Sequence, residues 1–402
     1  MGELSPIEQD AVERASAEPM LDQVLEWAAI NSGSRNLAGL GKVAKLLADA
    51  FSALPGELRF ADPAVVEAVD TAGHVDRLEH GKHLHLTVRP DAPAQLLFTG
   101  HMDTVFGADH EFQQTRWLES GVLNGPGVAD MKGGLAVMLA ALKAVEQSPL
   151  ASRLGYEVVI NSDEEVGSLA SADLLASAAR GKRAALTYEP AALPDGTLAG
   201  ARPGSGNFAI VVHGRSAHAG RNPEDGRNAL LAAADLALHL AAGKYPGLSV
   251  NPSRIDGGSP SNVVPDLAIL RVNMRPRTAE DEERARDLIE TAISAIAAER
   301  DVRIEVQGGF GRPPKPLTPE AEQLFALVSQ AGADLGQRIG WQPSGGVCDG
   351  NNIAACGLPV VDTMGVRGGK IHSMEEYLIV ESLKERAALS ALTILRLAAE
   401  AA

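Results

Sequence analysis

The sequence predicts an α/β protein in which one domain is interrupted by a second, smaller domain of ferredoxin-like type. Its 402 residues exceed what a single hydrophobic core usually supports. Strand patterns alternate with helix patterns on both sides of the middle of the chain, which is typical of an α/β layer on a largely parallel sheet. In the middle, the order changes to β-α-β-β-α-β, the split βαβ pattern of a ferredoxin-like domain.

The elements of the larger domain follow from the spacing of apolar residues. Helical spacing with a Ser5-Pro6 start predicts two or three helices over residues 5–54. The run MKGGLAVMLAALKAVEQ, which ends at Gln147, predicts a buried helix from about Asp130. The other elements predicted before the insertion are strands at about 57–68, 83–89, 95–99, 156–160 and 184–188 and a helix near 168–180.

The smaller domain is predicted to span residues 203–312, so that the larger domain comprises 1–202 and 313–402. Glycine and proline flank the insertion on both sides, in Pro203-Gly204-Ser205-Gly206 and from Gly308 to Pro314. Its predicted elements are strands at 207–214, 249–256, 267–275 and 302–307 and helices at 226–243 and 279–299. After it, the predicted elements are a helix near 319–334, a strand near 359–363 and a long helix from about 379.

Charge and composition exclude several classes of partner. The chain has 36 Lys and Arg against 52 Asp and Glu, a formal net charge of −16, so nucleic acid and anionic membranes would repel it. With only two cysteines, Cys348 and Cys356, we expect no disulfide framework and a reducing compartment. We find neither a signal-peptide pattern from Met1 to Pro6 nor an apolar run of about 18 residues. A cytoplasmic protein is expected.

Histidines and carboxylates recur just beyond the carboxyl ends of predicted strands, the edge where α/β sheets bind ligands. They are His101 and Asp103 after the strand at 95–99, Glu164 and Glu165 after the strand at 156–160, Glu189 after the strand at 184–188, Asp130 at the mouth of the buried helix, and His372 in the glycine-rich loop after 359–363. Each feature alone is more often a surface group. Together they would repel one another without cations among them, so the set predicts a paired metal site.

These residues lie in motifs that resemble the M20 metallopeptidases, a family that includes glutamate carboxypeptidase, acetylornithine deacetylase and succinyl-diaminopimelate desuccinylase. The matching stretches are GHMDTV at 100–105, GVADMKGG at 127–134, SDEEVGS at 162–168, Glu189-Pro190, GRSAHAG at 214–220, SNVVP at 261–265 and His372. The resemblance covers nearly the whole chain from about residue 20. Within the family, the chain looks most like the glutamate carboxypeptidase branch.

The resemblance implies two divalent metal ions, with zinc expected and manganese or cobalt as alternatives. The implied ligands are Asp130 as the bridge, His101 and Glu189 at one ion, and Glu165 and His372 at the other. Asp103 would accept the second ring N–H of His101 and fix its tautomer. Glu164 would be the general base that takes a proton from the attacking water.

The resemblance also implies residues that contact the substrate. His218 would donate a hydrogen bond to the tetrahedral oxyanion from the partner subunit of a homodimer, so the inserted domain is expected to serve dimerisation. Asn262, Arg275 and Arg312 resemble the family's contacts to a substrate carboxylate, since a guanidinium fork matches a carboxylate bidentately.

The expected function is hydrolysis of a small peptide or N-acyl amino acid at an amide bond next to a carboxylate. An N-acyl amino-acid deacylase or a dipeptidase of the same family is an open alternative, because Ala191 to Thr197 has no lysine where glutamate carboxypeptidases place one. A non-catalytic metal-dependent binding protein is a second alternative, which a missing base or ligand would favour. A dinuclear phosphoesterase is a third, but it would not need His218 and Arg312.

Overall fold

The computed structural model describes residues 4–400, in which helices and strands alternate over most of the length. The helices are α1 (Pro6–Ala17), α2 (Met20–Ala28), α3 (Leu37–Phe51), α4 (Gly133–Glu146), α5 (Ala172–Ala179), α6 (Ala229–Ala242), α7 (Ala279–Arg300), α8 (Pro319–Asp334), α9 (Asp349–Ala355) and α10 (Glu381–Ala399). Within 4–400, no helix combines the length and the apolarity needed to cross a bilayer.

The strands of the same residues form one large sheet and several smaller ones. They are β1 (Glu57–Ala61), β2 (Val66–Val69), β3 (Val75–Leu78), β4 (His83–Val88), β5 (Ala94–His101), β6 (Arg116–Glu119), β7 (Val122–Asn124), β8 (Leu154–Asn161), β9 (Ala184–Thr187), β10 (Leu198–Ala199), β11 (Ser205–His213), β12 (Leu248–Gly257), β13 (Leu267–Pro276), β14 (Arg303–Arg312), β15 (Trp341–Gln342), β16 (Val360–Val361), β17 (Gly368–Gly369) and β18 (Tyr377–Ile379).

The large sheet, here called the main sheet, has six strands in the order β1-β4-β8-β5-β9-β16. The strands β8, β5, β9 and β16 are parallel, whereas β4 runs antiparallel to both of its neighbours, so the sheet is mixed. Apart from the half-buried Gln95, β5 is buried throughout, as expected of a strand covered on both faces. The four parallel strands end at one common edge.

Helix α4 packs in the core and begins three residues later than the sequence predicts. Twelve of its residues are buried, including Leu135 and Leu142. Asp130 has φ −114° and ψ 90°, and Met131 has φ −136°, so neither continues a helix. The residues before Gly133 form a turn instead, and this turn carries the Asp130 side chain.

Strands β11 to β14 form a separate antiparallel sheet, here called the insert sheet, in the order β12-β13-β11-β14. Helices α6 and α7 pack against it, and their buried residues form a hydrophobic cluster distinct from that of the main sheet. Ala232, Leu236 and Leu240 of α6 point inward at helical spacing. Leu231 and Leu238 are 51% and 72% exposed, so α6 also carries an apolar outer face.

A third sheet was not predicted from the sequence because its strands have only two to four residues, too few to show a periodicity. Its order is β17-β18-β7-β6, and it is here called the rim sheet. Strand β7 leads towards the Asp130 turn, whereas β17 and β18 flank the loop that contains His372. The rim sheet therefore brings two distant loops side by side.

Candidate metal centre

The proposed metal ligands reach the carboxyl edge of the main sheet from five segments. They are His101 at the end of β5, Glu165 in the turn after β8, Glu189 after β9, Asp130 before α4, and His372 between β17 and β18. A Cβ atom at Gly134 would lie 2.0 Å from the Tyr188 carbonyl oxygen, so glycine is required for α4 to approach the strand end that carries Glu189. We call these five side chains the ligand group.

Asp130 lies at the centre of the ligand group and contacts both histidines. Its Oδ1 is 3.1 Å from His101 Nε2, and its Oδ2 is 3.3 Å from His372 Nε2. His101 Nε2 is also 3.7 Å from Glu189 Oε1, and His372 Nε2 is 3.1 Å from Glu165 Oε2. The group therefore consists of two halves that share Asp130, and its role in binding metal stays a prediction.

The electrostatics of the ligand group suit divalent cations. Burial raises the pKa of Glu165 to about 8 and that of Glu189 to about 7, and the charge of Asp130 adds to both effects. Burial also acts to raise the pKa of Asp130, but hydrogen bonds from His101 and His372 outweigh it and hold that pKa well below its usual range. Imidazole and carboxylate donors are the set that zinc, manganese and cobalt accept. The residues present thus fit two divalent ions.

Asp103 is buried behind His101 and organises the site through both its side chain and its backbone. Its carboxylate accepts hydrogen bonds from Ser34 Oγ at 2.7 Å and from the backbone N–H groups of Glu164 and Glu165 at 3.1 and 3.2 Å. His101 Nδ1 is 3.0 Å from the Asp103 carbonyl oxygen and 3.5 Å from Asp103 Oδ1. The carbonyl is thus the nearer acceptor for the imidazole, a contact that sequence reasoning missed.

Glu164 faces a guanidinium group that holds it in place. Arg312 Nη1 is 2.7 Å from Glu164 Oε1, and Arg312 Nη2 donates to the Glu164 carbonyl oxygen at 2.8 Å and to Ser168 Oγ at 2.9 Å. Burial raises the pKa of Glu164 to about 7, against the lowering effect of the Arg312 charge. A carboxyl group with a pKa near neutrality can both accept and return a proton.

Two cavities open onto the ligand group. The first cavity, of about 500 Å³, is lined by Asp130, Glu165, Glu189 and His372 among others. The second cavity, of about 810 Å³, is lined by Glu164, Glu165, Arg275, Arg312 and His372 among others. Both volumes are in the range of small-molecule sites, and they meet at Glu165 and His372.

The remaining predicted substrate contacts are split between two places. Arg275 lines the second cavity with Arg312, and it donates to Asn273 Oδ1 at 3.1 Å and to the Gly345 carbonyl oxygen at 3.0 Å. His218 and Asn262 are exposed on neighbouring loops beside the insert sheet. Within residues 4–400 of one chain, these two residues line neither cavity.

The chain matches the family model for peptidase family M20/M25/M40 over residues 97–396, a span that includes the whole ligand group and the insert sheet. The chain belongs to this family. Carboxypeptidase G2 from a Pseudomonas species is 32% identical over 313 residues, which are 76% of this chain and 74% of that relative. Succinyl-diaminopimelate desuccinylase from Maricaulis maris is 29% identical over 325 residues, 75% of this chain and 80% of the relative.

The fold agrees with this family membership. A solved tripeptidase from Staphylococcus aureus superposes with a TM-score of 0.73 at 23% identity, covering 96% of this chain and 99% of that one. At that identity the similarity shows the fold alone, and it does so over nearly the whole chain. Relatives of this chain include a carboxypeptidase and a desuccinylase, and the family is metal-dependent.

In this member of the family, one further carboxylate holds the Asp130 turn, and sequence reasoning did not single it out. Glu376 is 1% exposed. Its Oε1 accepts from the backbone N–H groups of Ala129 and Asp130 at 2.9 and 3.1 Å, and its Oε2 accepts from that of Gly127 at 3.2 Å. Because Glu376 follows His372 by four residues, it ties the loops of two proposed ligands together. The sequence alone does not distinguish Glu376 from the adjacent Glu375, which is exposed.

We expect Glu376→Gln to weaken metal binding by roughly tenfold, the lower end of the effect of a group that orients a ligand. Glutamine keeps one oxygen for Ala129 and Asp130, but its NH₂ group would face the Gly127 N–H. Competition with a chromophoric chelator measures the affinity, and Glu375→Gln is the matched control. If Glu376→Gln lowers the melting temperature of the metal-free protein but leaves metal affinity unchanged, Glu376 only supports the fold.

Proposed function

We propose that this chain is a dinuclear-metal hydrolase that cleaves a peptide or N-acyl amide bond next to a carboxylate, in the manner of a glutamate carboxypeptidase. The observation that carries the proposal is the pair of half-sites sharing Asp130, with Glu164 beside them at an open cavity. The similarity to carboxypeptidase G2 supports it. Zinc is the expected metal, with manganese and cobalt as alternatives.

Glu164 is the proposed general base. The chemistry that the two cations supply when bound is Lewis-acid polarisation of the carbonyl and a lower pKa for a water molecule. Glu164 accepts the proton of the attacking water on a carboxylate oxygen and returns it to the leaving nitrogen. Arg312 restrains that carboxylate, and Asp103 restrains the turn that carries it, so the base is held in one orientation.

A deacylase of N-acyl amino acids, or a dipeptidase, is the second candidate. The wall of the first cavity from Pro190 to Ala192 is apolar, although Arg202 and Lys370 also line that cavity. The segment from Ala191 to Thr197 has no lysine where glutamate carboxypeptidases place one, which argues against strict glutamate specificity. The similarity to succinyl-diaminopimelate desuccinylase also favours a deacylase. A non-catalytic binding protein is not favoured, because the base and every proposed ligand come together at one edge.

A panel of dipeptides and N-acyl amino acids tests the proposal and separates these candidates. We expect hydrolysis to stop after chelation and to return when zinc, manganese or cobalt is added back. Substrates with a free carboxylate beside the scissile bond are expected to be preferred over their amidated forms. Hydrolysis that survives chelation, or phosphoester hydrolysis in place of amide hydrolysis, would contradict the proposal.

Arg312 is proposed to bind the carboxylate beside the scissile bond. It lines the second cavity, where its guanidinium group lies beside the proposed base. Its buried Nε has no hydrogen-bond partner among residues 4–400. We expect Arg312→Ala to lower kcat/KM for a free-carboxylate substrate by about tenfold to a hundredfold, the value of a charge-assisted hydrogen bond. The variant Arg312→Lys should restore kcat/KM only in part, because lysine lacks the planar fork of the guanidinium group.

A substrate with its carboxylate amidated provides the control for Arg312→Ala. The wild-type enzyme should cleave it poorly, and at a pH well above the acid limb of both enzymes the substitution should change its cleavage little. Since the Arg312 charge lowers the pKa of Glu164, Arg312→Ala should also move the acid limb of the pH profile to higher pH. Equal losses on both substrates would mean that Arg312 acts through Glu164 or the fold and does not read the carboxylate.

The unit at 203–312, inserted between 1–202 and 313–402, is proposed to be a ferredoxin-like dimerisation domain. Its β-α-β-β-α-β order and its separate hydrophobic cluster support the assignment. The outer face of α6 exposes Leu230, Leu231 and Leu238, here called the leucine face. An exposed apolar face of this kind is what a protein interface covers.

A further inference from the structure

A third cavity, of about 980 Å³, lies where the insert sheet returns to the main domain. Its lining includes four cationic side chains, those of Arg202, Lys244, Arg275 and Arg277, and none of the described residues that line it is acidic. The chain as a whole has a net charge of −16, so a cavity whose charged lining residues are all positive differs in sign from the rest of the protein. A concave site of one sign concentrates ions of the opposite sign.

Most of this positive charge is not neutralised within the protein. Arg202 donates to Asp362 through Nε at 2.8 Å and Nη2 at 3.0 Å, so its charge is offset in part by a carboxylate that Lys315 also contacts. Arg275 donates only to uncharged acceptors and keeps its full charge. The side chains of Lys244 and Arg277 have no ion-pair or hydrogen-bond partner anywhere in 4–400. Three uncompensated cations thus border the third cavity.

The third cavity adjoins both cavities at the ligand group. It shares Arg202 and Ser344 with the first cavity and Arg275 with the second. A substrate whose scissile bond lies at the ligand group can therefore extend one end into it. Arg312, the proposed partner of the carboxylate beside the scissile bond, does not line the third cavity, whereas Arg275 lines both the second cavity and the third. An anion held in the third cavity is therefore a second group, separate from the carboxylate at Arg312.

We propose that the third cavity binds an anionic group, such as a carboxylate, at the far end of the acyl portion of the substrate. The preferred substrates are then negatively charged at both ends. This inference rests on the proposed hydrolase function. It names a class of substrate, N-acyl amino acids or short peptides with an acidic acyl terminus, and it assigns Lys244 and Arg277 to specificity.

Matched pairs of N-acyl amino acids test this inference, one member ending its acyl chain in a carboxylate and the other in the primary amide, over several chain lengths. The wild-type holoenzyme is expected to prefer the carboxylate form. The double variant Lys244→Gln/Arg277→Gln should raise KM for that form about three- to tenfold and leave the amide form unchanged. The control is Lys42→Gln/Lys45→Gln on α3, which removes the same charge at exposed positions outside all three cavities and should change neither.

Three other results would overturn the inference. If the carboxylate and amide forms are hydrolysed equally well, the third cavity does not bind the acyl end of the substrate, although the hydrolase function stands. Calorimetric binding of inorganic sulfate that depends on Lys244 and Arg277, without any substrate preference, means a site for free anions. Failure to hydrolyse any amide overturns the hydrolase function and this inference with it.

Discussion

Glu164→Gln is expected to lower kcat by about 10²–10⁴ while metal content stays at about two ions per chain. Glutamine has the shape of glutamate and can still accept the Arg312 Nη1 hydrogen bond through its oxygen, but it cannot take a proton from water. The turn that carries it is anchored by backbone N–H bonds to Asp103, which the substitution leaves intact. The loss should therefore appear in turnover and not in metal binding.

The neighbouring substitution, Glu165→Gln, is the matched control. It removes the same charge one residue away, from the side chain that contacts His372 at 3.1 Å, and it should lower the metal content. Elemental analysis of both variants, together with single-turnover kinetics, separates the two roles. If Glu164→Gln loses metal while Glu165→Gln retains it, the assignments of base and ligand are exchanged.

Part of the site follows from where strands end. His101 is the last residue of β5, and Glu165 and Glu189 follow β8 and β9. These three strands pair in parallel, so their ends share one edge of the main sheet. That placement is predictable because a parallel pair fixes the direction of both chains. His372 is different: it lies beyond β17, a two-residue strand of the rim sheet that no periodicity reveals. Sequence reasoning placed it only within a glycine-rich loop after the strand predicted at 359–363, and its resemblance to a family motif supported the assignment.

Contacts between segments that are distant in sequence cannot be predicted from the spacing of apolar and polar residues. Arg312 and Glu164 are 148 residues apart, and Glu376 and Asp130 are 246 residues apart. Arg312 reaches Glu164 because the insert sheet packs beside the main sheet, and Glu376 reaches Asp130 because the rim sheet brings their loops together. No local spacing of residues in the sequence encodes either arrangement. Sequence reasoning therefore expected Arg312 at the substrate but missed its ion pair with the base, and it overlooked Glu376 altogether.

His218→Ala is expected to lower kcat by about 10²–10³, the cost of removing one donor to an oxyanion. The His218 ring is already set for this role, because its Nδ1 accepts a hydrogen bond from the Gly220 N–H at 3.1 Å. A neutral imidazole then carries its proton on Nε2 and offers a donor there. Since His218 lines neither cavity at the ligand group of its own chain, we propose that it serves the site of a partner subunit.

Disrupting the proposed dimer should reproduce this loss without touching His218. The double variant Leu231→Lys/Leu238→Lys places two charges on the leucine face, where both side chains are more than half exposed in the single chain. It should remain folded and metal-loaded, run as a monomer by light scattering, and lose about as much kcat as His218→Ala. A fully active monomer would rule out any role for the partner.

Hybrid dimers separate action across the interface from action within one chain. In a dimer of one Glu164→Gln subunit and one His218→Ala subunit, action across the interface leaves one site with both groups intact and the other with neither. Such a hybrid should show about half the activity of the wild-type dimer, because a two-fold interface makes the two sites equivalent. Action within one chain leaves each site with one defect, so no activity should return. Hybrids purified with two different affinity tags decide between these outcomes, and inactive hybrids would refute the trans role of His218.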